Sequence, residues 1–371
     1  MKRLTPTDAY LKSEKALQTL RARLAEGRYP AGTLLPSERV LAVEFGISRA
    51  TLRKAMSPLL KEGRFAHFPG VGTRVQATDD SRQARASWRV LGLILPDVGN
   101  SFYLEVTEAI EYAALQRGYQ LLLCNSRHQP ELEEMHIRQL VERSVSGVIL
   151  AHDPYREMSS AARLLGDSGI PLVCLYGDPA DYPCDWVAID EVEGVQQVIQ
   201  YLRSLNHSRI AFCRAVAGDR PHPRELAFHQ VMQQCKLGLP ENFVIPLEQI
   251  DSIGGAGRLK DLLGLEAPPT AIFAGNDRVA MIVLKHLASL DVSVPEQVSV
   301  IGFDNVRFTE HLPVPLTTVD QPKREMGRRA VDLLLERVEL TGTSTSPRRE
   351  VFHPHLIIRN SCQIAARALV V

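Results

Sequence analysis

Arg49 and Arg53 stand four residues apart in the stretch SRATLRKAMSPLL, and their guanidinium groups are suited to binding DNA bases. Each planar group can donate two hydrogen bonds, to O6 and N7 of guanine. In a helix the two arginines share a face about 40° wide, beside an apolar face of Leu52, Ala55 and Leu59. The pattern predicts a helix that packs on one face and presents guanidinium groups on the other.

The surrounding residues predict the elements that would hold this helix. A first amphipathic helix ends near Gly27, Ser37 is the N-cap of a short second helix, and Ser48 is the N-cap of the third. The stretch RFAHFPGVGTRV then predicts two short strands around Gly70 and Gly72, where the backbone can approach a groove wall. Together these elements indicate a helix-turn-helix with a wing. A plain three-helix bundle with surface arginines is the alternative, but it does not explain the caps, the arginines and the glycine turn together.

The charge is divided unevenly along the chain. Residues 1–78 contain 14 Lys and Arg and 6 Asp and Glu, whereas the remaining residues contain 29 and 37, although the whole chain has no net charge. A basic segment joined to an acidic one is typical of a protein that binds a polyanion at one end. A solvated basic face is the alternative interpretation of the charge alone.

Residues 8 to 76 resemble the GntR-type winged-helix DNA-binding domain, because LPSERVLAVEFGISRATLRKAMSPLLKEG and PGVGTRV follow its pattern almost throughout. Pro58 departs from that pattern and predicts a kink beyond the DNA-facing half of the third helix. The resemblance implies DNA contacts from the second helix, the third helix and the wing. The residues concerned are Ser37, Arg39, Ser48, Arg49, Thr51, Arg53, Gly70 and Gly72.

From Arg89 onward, short apolar runs alternate with segments of helix length. The runs are VLGLIL, QLLLC, GVIL, PLVCLY, WVAI, RIAFC, AIFAG and VSVIGF. Buried strands that alternate with helices predict a parallel sheet covered on both faces. Residues 77–88 lack apolar periodicity and are expected to form a polar linker. The expected fold class is therefore α/β, with a winged helix-turn-helix at 1–76 and an α/β domain at 89–371.

Polar residues occur at or near the ends of several of these runs, and ligands of open α/β sheets bind beyond the carboxyl ends of the strands. Their side chains can bond neighbouring hydroxyl groups in pairs, and Phe102 or Trp186 could cover the apolar face of a sugar. Asn276 could instead cap a helix, and Asp304 could be an ordinary turn residue. The polar residues are Asn100, Arg224, Asn276, Asp277 and Asp304.

Residues 90 to 362 are similar to the LacI/GalR-type regulatory domain, which is related to periplasmic sugar-binding proteins. The stretches LGLILPDVGNSFYLEV, AIFAGNDRVAMIVLKHL, LTTVDQPKREMGRRAVDLLL and PHLIIRNSC carry the similarity. It implies a two-lobed, periplasmic-binding-protein-like domain that closes on a small effector, and the whole chain resembles the arabinose repressor group. The family usually has Asp-Asn where this chain has Asp190-Glu191. The effector contacts implied by the similarity are Asp190, Arg224, Asn276, Asp304 and Gln321.

These observations predict a DNA-binding transcriptional regulator. It would repress carbohydrate-utilisation genes, bind double-stranded operator DNA as a homodimer and respond to a small sugar-like effector. A non-sugar effector such as a nucleoside, and activation instead of repression, remain open alternatives. The sequence has no G-x-S-x-G, GxxxxGK[ST] or HExxH motif, so we do not expect an enzyme.

Composition also bears on the cofactors, the membrane partners and the cellular location of the protein. The six cysteines occur singly, without CxxC or Cys/His spacing, and are expected to be reduced thiols. We therefore expect neither a metal ion nor a cofactor. The chain has no 18-residue apolar run and its first residues have no apolar core, so we expect no membrane partner and a cytoplasmic location.

Overall fold

The computed structural model describes residues 6–25, 27–30, 32–68, 72–76, 89–151, 162–176, 183–214, 221–246, 255–339 and 346–365. The chain divides into two compact units, Met1–Trp88 and Arg89–Val371. The expected linker at 77–88 lies outside the described residues. In the described part of the chain, no helix is both long and apolar enough to cross a membrane.

The first unit contains helices followed by an antiparallel hairpin. Its elements are α1 (Pro6–Ala25), α2 (Glu38–Glu44), α3 (Arg49–Lys61), β1 (Phe65–Phe68) and β2 (Gly72–Val75). Phe65 pairs with Val75 in the hairpin, and Leu34 forms a further antiparallel bridge with Arg74. The predicted helices and the two strands of the wing are confirmed. The turn at 69–71, including Gly70, lies outside the described residues.

Serine caps and leucine packing explain why these helices form. The Ser37 hydroxyl accepts a hydrogen bond from the Val40 amide at the start of α2, and that of Ser48 accepts one from the Thr51 amide at the start of α3. Each cap satisfies one of the amides that a helix N-terminus leaves without a partner. Leu52 of α3 is fully buried among apolar residues from all three helices and the hairpin. α3 continues through Pro58 to Lys61.

The second unit is built from strands that alternate with helices. Its strands are β3 (Val90–Leu95), β4 (Gln120–Asn125), β5 (Gly147–Ala151), β6 (Leu172–Leu175), β7 (Asp185–Ile189), β8 (Ile210–Cys213), β9 (Val244–Ile245), β10 (Ala271–Ala274), β11 (Ser299–Ile301), β12 (Thr318–Asp320), β13 (Arg349–Phe352) and β14 (His355–Ile357). Its helices are α4 (Ser101–Gln116), α5 (Pro130–Glu142), α6 (Ala162–Asp167), α7 (Glu191–Ser204), α8 (Pro223–Gln234), α9 (Gly255–Leu263), α10 (Asp277–Ser289) and α11 (Lys323–Glu339).

Two parallel sheets divide this unit into two lobes. The first lobe has a six-stranded sheet in the order β13-β7-β6-β5-β3-β4, and the second has a four-stranded sheet in the order β11-β10-β8-β9. Neighbouring strands within each sheet are parallel. β12 and β14 form a separate antiparallel pair. The parallel sheets predicted from the apolar runs, and the two lobes implied by the resemblance to the LacI/GalR-type domain, are therefore confirmed.

The strands alternate their side chains between two apolar clusters in the first lobe. Val187 and Ile189 of β7 lie in the same cluster as Phe102 of α4, whereas Trp186 packs in the cluster on the other face of the sheet. The sheet is therefore buried on both sides, which is why its strands read as continuous apolar runs.

Candidate DNA-binding surface and effector site

Arg49 and Arg53 lie on the exposed face of α3, as their spacing predicts. Each has 63% of its side chain exposed, and both approach the same carboxylate of α2. Arg53 donates to both oxygens of Glu38 at 2.9 and 3.1 Å, and Arg49 lies 3.8 Å from it. Glu38 therefore holds both guanidinium groups next to one another at the beginning of α3.

The other residues implied in DNA binding surround this pair. Arg39 is exposed on α2, and the hydroxyl groups of Ser48 and Thr51 lie 2.8 Å apart at the N-terminus of α3. Two hydroxyl groups beside helix amides form a polar group suited to a phosphate. Gly72 begins the second strand of the wing with φ of 129°, a backbone conformation that side chains other than glycine rarely adopt.

Arg224 lies at the centre of a buried polar cluster in the second unit. Its Nε and Nη2 donate to the two oxygens of Glu191 at 2.9 and 3.0 Å, and its Nη1 donates to the Gly275 carbonyl at 2.5 Å. The guanidinium group lies 3.5 Å above the centre of the Phe303 ring. Asp304 Oδ1 is 3.8 Å from Arg224 Nη1. The side chain is thus fixed by two carboxylates, one carbonyl and one aromatic face.

Asp304 and Gln321 extend this cluster toward β12. Gln321 Nε2 donates to Asp304 Oδ1 at 2.7 Å, whereas Gln321 Oε1 is buried without a hydrogen-bond partner among the described residues. Asp304 has φ of 114° and Asn305 has φ of 48°, and Lys323 Nζ donates to both of their carbonyl oxygens. Burial raises the pKa of Asp304 to about 6, although Arg224 and Lys323 oppose the rise.

Asn276 and Asp277 have local roles at the start of α10. Asn276 Oδ1 accepts from the Val279 amide at 2.9 Å and caps the helix. Asp277 is fully buried, and its two oxygens accept from the Thr318 hydroxyl at 2.6 Å and the Val306 amide at 2.9 Å. Burial and then Asp304 raise the pKa of Asp277 to about 8. Asp277 therefore ties α10 to the segment that follows β11.

The first lobe contributes aromatic rings to the same region. The ring of Phe102 lies 5.1 Å from that of Tyr176 and 5.4 Å from that of Tyr103, and the Asn100 side chain caps α4 by accepting from the Phe102 amide. The Tyr176 hydroxyl is buried without a hydrogen-bond partner among the described residues. Burial raises its pKa, and the neighbouring Tyr103, Asp304 and Glu191 raise it further. Tyr176 therefore lies near enough to both carboxylates for their charges to affect it.

One expectation about this site needs revision, and Asp190 has a local role like that of Asn276. Trp186 does not cover the cluster, because it lies near the beginning of β7 and packs on the sheet face opposite Phe102. Asp190 caps α7 by accepting from the Glu193 amide at 2.9 Å, and it is the next residue, Glu191, that bonds Arg224. The sequence signal for the contact between Glu191 and Arg224 was the Asp190-Glu191 pair, which stands where the family usually has Asp-Asn.

We define the effector cleft as the region between the aromatic residues Phe102, Tyr103 and Tyr176 and the polar residues Glu191, Arg224, Asn276, Asp304 and Gln321. The aromatic residues follow β3 and β6 of the first lobe, whereas most of the polar residues follow strands of the second lobe. At the rim, Arg278 of α10 lies 3.6 Å from Asp97 beyond β3. The cleft therefore lies at the carboxyl ends of the strands, where two lobes meet.

Comparisons with known proteins agree with this architecture. The gntR family of bacterial regulatory proteins matches residues 12–75, and the periplasmic binding protein-like domain matches residues 199–362. A LacI family transcriptional regulator from Enterococcus faecium, solved with bound ribose, superposes with a TM-score of 0.63 at 25% identity, covering 75% of this chain and 100% of that one. The HTH-type transcriptional regulator DegA of Bacillus subtilis (strain 168) is 32% identical over 284 residues, which cover 73% of this chain and 80% of DegA.

The chain belongs to the LacI type of DNA-binding transcriptional regulators. This LacI-type regulator carries a gntR-family DNA-binding domain at residues 12–75. The ribose operon repressor of Escherichia coli (strain K12) is 28% identical over 276 residues, covering 73% of this chain and 81% of the repressor. Since these relatives are transcriptional regulators, the prediction that the protein is not an enzyme is confirmed.

Proposed function

We propose that this regulator represses genes of carbohydrate use and that a sugar in the effector cleft controls its binding to operator DNA. The observation that carries the proposal is the convergence of Arg224, Asp304 and Gln321 in one buried polar cluster, with the aromatic residue Phe102 at a strand end of the first lobe. Polar side chains that bond hydroxyl groups, beside a ring that covers an apolar face, suit a sugar. A regulator of the same family binds ribose in its solved structure, which supports this choice of ligand.

Residues 1–76 would bind the operator, 77–88 would be a linker, and 89–371 would sense the effector. Arg49 and Arg53 would contact base edges, while Arg39, Ser37, Ser48 and Thr51 would contact the backbone, with Gly70 and Gly72 in the wing. We place the protein in the cytoplasm, where operator DNA is found. The exposed position of Arg49 and Arg53 supports the assignment of the α3 face to the major groove.

We further propose that the protein binds DNA as a homodimer through α4 and β4. Leu104, Tyr112 and Leu115 lie on one face of α4 and are each more than half exposed, and Leu123 is exposed on β4. β4 is the last strand of the six-stranded sheet, so this apolar patch lies at a sheet edge. A second copy that covers it would place two DNA-binding domains on an inverted repeat.

The test is footprinting on the promoter regions next to the gene, with and without ribose, arabinose, glucose and galactose. We expect protection of an inverted repeat, a change in protection with at least one sugar, and loss of that change in Arg224→Gln with unliganded binding intact. A footprint that no sugar alters, or an Arg224→Gln variant that still responds, would count against the proposal.

Sedimentation tests the dimer. Tyr112→Asp and Leu115→Asp should shift the protein to monomers, whereas Leu226→Asp, at an equally exposed leucine of α8, should not. A wild-type monomer at micromolar concentration, with and without operator, would refute the dimer.

A further inference from the structure

Glu191 neutralises the principal cation of the effector cleft. It meets Arg224 through two parallel hydrogen bonds, and Arg224 is almost completely buried, so the pair is screened from water. Asp304 adds a second carboxylate 3.8 Å from the same guanidinium group. The charge of Arg224 is thus already matched within the protein before any effector binds.

Lys323, the second cation described in the polar cluster, is matched as well. Lys323 Nζ donates to the carbonyl oxygens of Asp304 and Asn305, and it lies 3.5 Å from Asp320 and 3.6 Å from Glu105. His222, which caps α8 next to Arg224, is buried, and burial lowers its pKa well below the usual value. Neither side chain therefore offers an unmatched positive charge to a carboxylate or a phosphate.

The polar atoms that still need partners are oxygen atoms. Gln321 Oε1 accepts only, and it is buried without a hydrogen-bond partner among the described residues. The buried Tyr176 hydroxyl has no hydrogen-bond partner among the described residues either, and it can donate or accept. A buried polar atom without a partner is costly, so a ligand that donates hydrogen bonds would complete this site.

We propose, on the basis of the proposed effector function, that Glu191 restricts the effector to uncharged polyhydroxy compounds and rejects sugar acids and sugar phosphates. Several hydroxyl groups supply the donors that Gln321, Asp304 and Glu191 can accept. An anionic group would instead lie beside two carboxylates, with the charge of Arg224 already matched by Glu191. Glu191 would therefore determine specificity through the charge it removes from Arg224.

The experiment measures anion binding to the full chain and does not require the natural effector. Isothermal calorimetry would titrate D-ribonate and inorganic phosphate, at constant ionic strength, into the wild type, Glu191→Gln and Glu191→Asn. The shorter Asn keeps the experiment informative if the Gln variant folds poorly. Glu193→Gln is the matched control, because Glu193 lies in the same helical turn but bonds the exposed His353.

We expect no saturable anion binding by the wild type or by Glu193→Gln at millimolar concentrations. The Glu191 variants should bind D-ribonate at least tenfold more tightly, and adding Arg224→Gln should abolish the gain. Wild-type binding of D-ribonate or phosphate that Arg224→Gln removes would overturn the proposal. So would the absence of anion binding by a folded Glu191 variant. Failure of every sugar to alter the footprint would instead count against the proposed function.

Discussion

Replacing Gly194 with alanine would insert a methyl group against the ring of Phe303, which stacks on the guanidinium group of Arg224. Gly194 is buried in α7, and an added Cβ would lie 2.9 Å from Cζ and 3.0 Å from Cε2 of Phe303. Pro354 Cγ, at 3.2 Å, closes the other side of the same space. Because carbon atoms pack best at about 3.5 to 4.0 Å, the ring would have to move by about 0.5 to 1 Å.

The expected size of the effect follows from two opposing contributions. Phe303 is fully buried, so moving its ring costs about 1 to 3 kcal/mol of overpacking. Alanine in place of glycine within a helix contributes about 0.5 to 1 kcal/mol in the other direction. We expect Gly194→Ala to lower the free energy of unfolding by about 1 to 2 kcal/mol, and to displace Arg224 from the effector cleft.

Gly257→Ala is the matched control for this experiment. Gly257 is an exposed residue of α9, and an added Cβ there would have no neighbour within 4 Å. Differential scanning calorimetry of both variants should show Gly257→Ala at or above the wild-type melting temperature and Gly194→Ala a few degrees below it. Gly194→Ala should also need more sugar to change operator binding. A Gly194→Ala protein as stable as the control would refute the reasoning.

Three further predictions concern the DNA-binding surface, the effector cleft and the buried Asp277. Arg49→Ala and Arg53→Ala should each cost about 1 to 3 kcal/mol of specific operator binding and relax the preference at one base pair, measured by competition footprinting; Lys285→Ala, on the exposed side of α10, is the control. Asn276→Ala should lose the helix cap, about 1 kcal/mol of stability, and sensitivity to the effector, whereas Asn276→Ser should keep the cap and lose only the sensitivity. If both Asn276 variants respond to sugar like the wild type, the residue does not contact the effector. Because the pKa of Asp277 is raised to about 8, wild-type stability should fall, relative to Asp277→Asn, by roughly 1 kcal/mol per pH unit as the pH rises toward 8. Urea unfolding from pH 5 to 9 measures the difference, and a difference that is constant with pH would contradict this assignment.

The strands could be predicted because a strand buried on both faces needs a continuous apolar run. β5 and β6 are wholly buried, and their sequences GVILA and LVCL have no polar residue. The same rule located Asn276 and Asp304 at strand ends, where the structure has them. The position of a ligand site in a parallel sheet thus follows from chain direction alone.

Rules of this kind do not predict contacts between residues that are far apart in the sequence. Glu191 meets Arg224, 33 positions away, only because α7 packs against α8, and nothing local in the sequence encodes that packing. Lys323 likewise reaches backward from the start of α11 to carbonyl oxygens that a helix-by-helix interpretation does not bring near it. Tyr176 was within reach of the strand-end rule, since it directly follows β6. Side chains alternate between the two sheet faces along β7, and this alternation could have shown that Trp186 does not cover the effector site.

The first lobe is assembled from segments that the ribosome produces far apart in time. β13, at residues 349–352, pairs with β7, and α11 approaches α4 so closely that a Cβ on Gly327 would lie 2.9 Å from Ala109. The four strands of the second lobe, by contrast, have all been made by Ile301. During translation, about 200 further residues are added after α4 before α11, which packs on its apolar side, has been made. A chain that stalls before α11 would hold all four strands of the second lobe beside an open first lobe, and this open lobe is the part that chaperones would have to protect.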